Sequence, residues 1–239
     1  MNIILFSASE VELPLSRRDG RARHILTVLR RQPGDRFDVG RIDGPLGKAT
    51  LVEVREEDLR LSFVWGEPPP ALPPLRLLLG LPRPQTARDL LREGTALGVS
   101  AMDFVRTERG EASYAQSSLW TTGEWRDLLV TGATQAFCTR LPSVQHGDSL
   151  GAGIAAVPAG YTRLALDNYE APTALADLIL PDSAGIVLAL GAERGWADAE
   201  RELLRQNQFQ FVHLGPRVLR METAAIAAVT LVKAKRGWV

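Results

Sequence analysis

Two strand-like apolar runs near the C-terminus of this chain lead straight into glycine turns. Ile186–Leu190 runs into Gly191-Ala192-Glu193-Arg194-Gly195, and Phe209–Leu214 runs into Gly215-Pro216-Arg217-Val218-Leu219-Arg220-Met221-Glu222-Thr223-Ala224. In an open α/β sheet, ligands sit beyond the carboxyl ends of strands, and glycine lets the backbone approach a ligand closely. The turns start about two dozen residues apart, so they could close one pocket between them. The same residues also read as two tight connecting turns, with Leu219 and the alanines at 224, 225, 227 and 228 as ordinary packing against a sheet. Spacing alone leaves both readings open.

Other chemistries find less support. Gly147-Asp148-Ser149-Leu150 spells the nucleophile motif of a hydrolase family. A serine nucleophile needs a histidine base oriented by a carboxylate. The histidines are His24, His146 and His213, and neither His146 nor His213 has a carboxylate at the expected spacing, so the segment is predicted to be a turn in a glycine-rich loop. Scattered histidines and a lone Cys138 give no metal-ligand spacing, so no metal is expected. Neither a GxxxxGK[ST] loop nor a GxGxxG after a strand is present, which argues against P-loop and ordinary dinucleotide binding.

The elements that must position the two turns follow from composition and periodicity. The chain has 239 residues, 45% hydrophobic and 23% charged, enough apolar material for a buried core. Its apolar runs are too short to span a membrane, and the single cysteine fits a reducing cytosol, so a cytoplasmic protein is expected. The segment from Gly66 to Pro74 holds five of the 15 prolines and reads as a stiff linker. Before it, Leu59, Leu61, Phe63 and Trp65 alternate with other residues, and Leu51, Val52 and Val54 follow the Gly44–Gly47 turn, as in a small β-rich domain. One helix is expected over Arg23–Arg31, with Ile25, Val28 and Leu29 on one stripe.

After the linker, strand-like runs at 75–79, 102–105, 163–166, 185–190 and 209–214 alternate with helix-like stretches at 87–97, 124–137, 174–180, 198–207 and 223–235. This alternation predicts a parallel sheet covered by helices. Net charge is zero, yet the stretch from Ser16 to Arg36 holds seven arginines against two acids. If they share a face they could track a phosphate backbone; otherwise they are a solvated surface.

The run Leu-Gly-Pro-Arg-Val-Leu-Arg-Met-Glu-Thr-Ala at 214–224 closely resembles the LGxRILRxETA signature of the RsmE family. Gly191–Gly195 resembles that family's GPEGG loop, His24–Arg30 with Gly34-Asp35 its HxxxVLR...GD segment, Ala96–Val99 its ATELGV helix end, and Trp125–Gln135 its RW...A.Q helix. The resemblance implies a PUA-like RNA-binding β-barrel over 1–67, a linker over 68–74, and over 75–239 a SPOUT-type α/β methyltransferase domain with a C-terminal trefoil knot. It implies S-adenosylmethionine as cofactor, uridine N3 in 16S ribosomal RNA as substrate, and a homodimer. Carried over by position, Leu190, Gly191, Glu193, Gly195, Leu214, Gly215, Leu219, Arg220 and Thr223 would bind the cofactor. Arg220 and Glu193 would serve catalysis, and Arg21, Arg23, His24, Arg30 and Arg36 would bind RNA. Ala192 and Arg194 depart from GPEGG, Arg83 stands where the family carries a nearby lysine, and Ala96 replaces a glutamate. These departures suggest an alternative, a catalytically divergent RNA-binding paralogue with another RNA target or no turnover.

Overall fold

Period-two alternation in the first 65 residues becomes a five-stranded sheet in the computed structural model, which describes residues 3–238. Its strands are β1 (Ile4–Phe6), β2 (Leu15–Ser16), β3 (Arg36–Arg41), β4 (Leu46–Val54) and β5 (Asp58–Trp65), in the order β1-β3-β4-β5-β2. β1 pairs with β3 in parallel; the other pairings are antiparallel. Phe37, Val39, Ala49, Leu51 and Leu59 are buried with Ile4, Phe6, Leu15 and Ile25, because alternate residues of a strand share a face.

The chain separates into two compact units, one holding residues up to Ala71 together with Ala133–Leu141, the other holding Leu72–Gly132 and Pro142 onward. The return of 133–141 to the first unit has no counterpart in the sequence pattern. Polar contacts hold it there: the Asp43 N–H donates to the Thr139 carbonyl at 2.8 Å, and Arg140 donates to the carbonyls of Asp43 and Pro69, each at 3.0 Å.

The helix expected over Arg23–Arg31 is not regular. α1 (Gly20–Arg23) gives way to one π-helical turn over His24–Val28, and Arg30 takes a left-handed φ of 52°. Of the expected stripe only Ile25 is fully buried, and Val28 is exposed. The Thr27 hydroxyl bonds back to the Arg23 carbonyl at 2.8 Å, and Pro33 follows closely; both weaken a continuing helix.

The second unit carries a seven-stranded sheet, parallel throughout. In chain order its elements are β6 (Leu75–Gly80), α2 (Pro84–Ala96), β7 (Ala101–Arg106), α3 (Ser118–Thr121), α4 (Glu124–Gln135), β8 (Ser143–Ser149), α5 (Leu150–Ala155), β9 (Tyr161–Leu166), β10 (Thr173–Ala174), β11 (Gly185–Leu190), α6 (Asp198–Gln206), β12 (Gln210–His213) and α7 (Met221–Arg236). The strand order is β10-β12-β9-β11-β6-β7-β8. All six residues of central β11 are buried, as expected of a parallel strand covered on both faces. Each fully buried leucine or valine there contributes about 1.5–3 kcal/mol.

Two expectations fail for identifiable reasons. The stretch 174–180 is not a helix: Pro172 and Pro181 bracket it, and β10 pairs with β12 while the Leu175 N–H donates to the His213 carbonyl at 2.8 Å. The segment at 143–149 is a strand rather than a loop. It is the polar edge strand, and Gly147, at φ 87°, is the extra residue of a bulge where the register with β7 shifts between Phe104 and Val105.

Candidate active site

A cavity of about 480 Å³ opens in the second unit where β9, β11 and β12 end. These strands are neighbours in the order β12-β9-β11, so their loops meet although the chain separates them. The loop after β11 contributes Leu190, Gly191, Glu193 and Gly195, and the segment after β12 contributes Leu214, Leu219 and Arg220. Gly215 and Thr223 are not in the lining. Gly215, at φ 106°, turns the chain and donates its N–H to His213 Nδ1 at 3.0 Å; Thr223 is exposed on the first turn of α7.

The cavity also takes Arg83 and Thr86 from the start of α2 and Leu166, Asp167, Asn168 and Tyr169 from the loop after β9. Sequence reasoning missed this third loop, because no glycine marks it. The signal in the sequence is Asp167-Asn168 directly after the apolar run at 163–166.

The loops after β11 and β9 are braced by Trp196, Glu200 and Arg201, which do not line the cavity. Gly191 packs so closely on the turn that a Cβ there would lie 2.8 Å from the Gly195 carbonyl carbon and 3.0 Å from the Trp196 nitrogen. Trp196 is fully buried and donates its Nε1–H to the Leu166 carbonyl at 3.3 Å, joining the β11 loop to the end of β9. Glu200 accepts the N–H of Ala197 and that of Glu108, both at 2.8 Å. In the β9 loop, Asp167 Oδ1 accepts the N–H groups of Tyr169 at 2.7 Å and Glu170 at 2.8 Å, while Oδ2 accepts Arg201 Nε at 2.8 Å. The side chains of Asp167 and Arg201 are 2% and 5% exposed, so this is a buried ion pair.

Glu193 is partly committed: Oε1 accepts the Arg83 N–H at 3.0 Å and lies 3.9 Å from Arg83 Nε. It therefore ties the β11 loop to the N-terminus of α2. Arg220 is the exposed residue at which α7 begins, so its guanidinium adds to the positive end of that helix. Ala192 is buried, its nitrogen 2.5 Å from where a Cβ on Gly80 would stand; Arg194 is exposed, its carbonyl accepting Arg109 Nη1 at 3.2 Å.

In the first unit, Arg23, Arg30 and Arg36 are exposed and His24 is half-buried. Arg21 departs from the expected set. It pairs with Glu10 at 2.5 Å and Asp19 at 2.7 Å, donates to the Leu5 carbonyl at 3.0 Å and stacks over Phe6, so its donors are spent inside the domain. Through its hydrogen bonds Arg21 holds the Glu10 carboxyl down at about 2.

Ser149 is no nucleophile. Its Oγ accepts the Ala152 N–H at 3.2 Å as the N-cap of α5, while His146 stacks on Trp120 and His213 lies near the opposite edge of the sheet.

A family description of RNA methyltransferase domains matches residues 69–233. The ribosomal RNA small subunit methyltransferase E of Treponema pallidum is 36% identical over 249 residues, covering 98% of this chain and 91% of its own. The chain belongs to the ribosomal RNA small subunit methyltransferase E family. A second member, methyltransferase E 1 of Borreliella burgdorferi, is 27% identical over 98% of both chains. Among solved structures, methyltransferase E of Neisseria gonorrhoeae, bound to S-adenosyl methionine, superposes with a TM-score of 0.80 over 97% of each chain at 23% identity. No helix among the described residues is long and apolar enough to cross a membrane.

Proposed function

We propose that the cavity holds S-adenosylmethionine and that the protein transfers its methyl group to N3 of a uridine in 16S ribosomal RNA, as a cytoplasmic homodimer. The observation that carries this reading is that three loops from neighbouring strands close on one cavity of small-molecule size. The donor set fits the cofactor. Arg83, Arg194 and Arg220 can meet a carboxylate, Glu193 an ammonium or sulfonium, and the close-packed Gly191 turn presents backbone groups that read an adenine edge without charge.

Bound there, the cofactor supplies an electrophilic methyl. The chain must supply the rest. Uracil N3 is mostly protonated at neutral pH, so its proton must pass to solvent water while the S–CH3 bond breaks to leave the neutral thioether and the N3–CH3 bond forms, and the site must stabilise the base as it loses that proton. Arg220, the N-cap residue of α7, holds a uracil carbonyl oxygen in this reading as charge develops on it. Glu193, already held by Arg83, orients the cofactor side of the pocket. Exposed Arg23, Arg30 and Arg36, with His24, position the RNA backbone, and Arg21 is a structural residue of the same domain.

The domain expectation is carried forward as part of the same reading: a PUA-like RNA-binding domain before the proline linker and a knotted SPOUT-type domain after it. Its support in the second unit is that Leu214 and the run Val218–Glu222, after β12, line the same cavity as the loops of β9 and β11. The dimer reading draws support from a groove between α2 and α7, where the partly exposed Ile226 stands with Leu90, Leu97, Ala225 and Val229, and where Asp89, Glu93 and Glu222 also line the groove.

The test is methyl transfer from labelled S-adenosylmethionine to small ribosomal subunits that lack the mark, followed by mapping of the modified uridine. Transfer is expected with the wild type. For Arg220→Ala, kcat should fall about 100-fold while thermal unfolding stays unchanged. No transfer to any RNA, together with no calorimetric binding of the cofactor, ends this reading. Cofactor binding without transfer would favour the divergent paralogue suggested by Ala192 and Arg194.

A further inference from the structure

Tyr169 lines the cavity yet is 80% exposed. An aromatic ring left in water at the mouth of a pocket gains most by being covered, and its surroundings hold it ready for that. Its own N–H and the next one are captured by Asp167, whose carboxylate is locked in the buried pair with Arg201. The Arg201 guanidinium lies over the ring, 5.6 Å from its centroid, and Arg205 pairs with Glu170 to hold the far side of the turn. A buried ion pair and an Asx turn thus fix one ring whose outer surface touches solvent. Val218, also 80% exposed and also in the lining, stands on the segment after β12, the strand paired with β9 through Leu166 and Val212. The same lining carries Arg83, Arg194 and Arg220 alongside the carboxylates of Asp167, Glu193 and Glu222; Asp167 is paired with Arg201 and Glu193 accepts the Arg83 N–H, while Arg194 and Arg220 are exposed.

An apolar platform beside exposed arginines matches a nucleotide, whose base stacks while its phosphate meets a guanidinium. We infer that Tyr169 is the platform on which the target nucleobase stacks once it is turned out of the RNA, with Val218 as a second apolar contact. This inference rests on the cavity being the methyl-transfer site. Stacking uses the ring and not the hydroxyl, so phenylalanine should serve and alanine should not. Tyr169 is a positioning residue for the substrate and is not required for the cofactor.

The experiment compares wild type, Tyr169→Phe and Tyr169→Ala in transfer of labelled methyl to small subunits lacking the mark, with cofactor affinity measured separately by calorimetry. Tyr169→Ala should lower kcat/KM for the subunit between about 5- and 150-fold at unchanged cofactor Kd, and Tyr169→Phe should stay within about two-fold of wild type. Unchanged kcat/KM in Tyr169→Ala overturns the inference. So does a loss matched by an equal rise in cofactor Kd, which would place the ring on the cofactor. Equal losses in both variants would make the hydroxyl the active group, and also overturn it. If the wild type itself transfers no methyl, the reading of the site fails first and takes this inference with it; normal wild-type transfer with an unaffected Tyr169→Ala ends the inference alone.

Discussion

Replacing Arg201 with methionine tests whether the buried pair with Asp167 is the brace of the third cavity loop. The change removes the charge while keeping an apolar stem of similar length, and leaves a carboxylate that is 2% exposed without its cation. Breaking a buried pair by removing one partner costs about 3–5 kcal/mol. Asp167 keeps two backbone donors, from Tyr169 and Glu170, so the lower end applies, about 3 kcal/mol. In a chain of this size each kcal/mol moves Tm by about 2–4 °C, so Tm should drop by about 6–12 °C. Asp167→Asn keeps an oxygen for the two backbone N–H groups but removes the charge, and it should also destabilise. The double variant should recover part of the loss, with a coupling energy of about 2 kcal/mol in a double-mutant cycle read by calorimetry and urea unfolding. Cofactor affinity should weaken in both single variants, because the loop bearing Asp167 and Tyr169 lines the cavity. A coupling below about 0.5 kcal/mol, the scatter expected of independent sites, would refute the pair as the brace.

Gly191→Ala places a Cβ 2.8 Å from the Gly195 carbonyl carbon, so the backbone of the turn must move. Stability should fall by about 1–3 kcal/mol and cofactor Kd rise at least about ten-fold; an unchanged Kd by calorimetry would remove Gly191 from the binding surface. In the first unit, Arg21 holds Glu10 at about 2, below its ordinary 4.5. A depressed folded value means the stabilisation is fully present above about pH 4.5 and is lost as pH falls toward about 2. The Glu10 side chain is 39% exposed, so after solvent screening it is worth no more than about 1 kcal/mol. Urea unfolding between pH 7 and pH 3 should show Glu10→Gln flattening the acid-side decline; an unaltered profile would mean Arg21 gains nothing from that carboxylate.

Strands β6, β7, β9, β11 and β12 of the second unit were legible from sequence because each falls in an apolar run bounded by turns, the pattern a doubly covered parallel strand requires. The two glycine turns were legible for a local reason as well: Gly195 and Gly215 take φ of 66° and 106°, conformations that other residues rarely adopt. β8 was not legible, since an edge strand rich in Gln, His, Asp and Ser carries no apolar alternation, and its bulge at Gly147 reads as a loop. Nor was β10, whose backbone finds partners only because β12 lies beside it.

Sequence by itself determined which segments end in turns able to approach a ligand, and the 214–224 signature determined the family. Only the tertiary structure decided that the strand order β12-β9-β11 inserts a third loop between those two, since strand neighbours are set by packing and not by distance along the chain. It also decided which charges remain available. Arg21, Arg23 and Arg36 are indistinguishable as letters, yet carboxylates from residues 10 and 19 fold back to consume the first and leave the others exposed. A side chain's charge is local, but its partners are chosen by the fold.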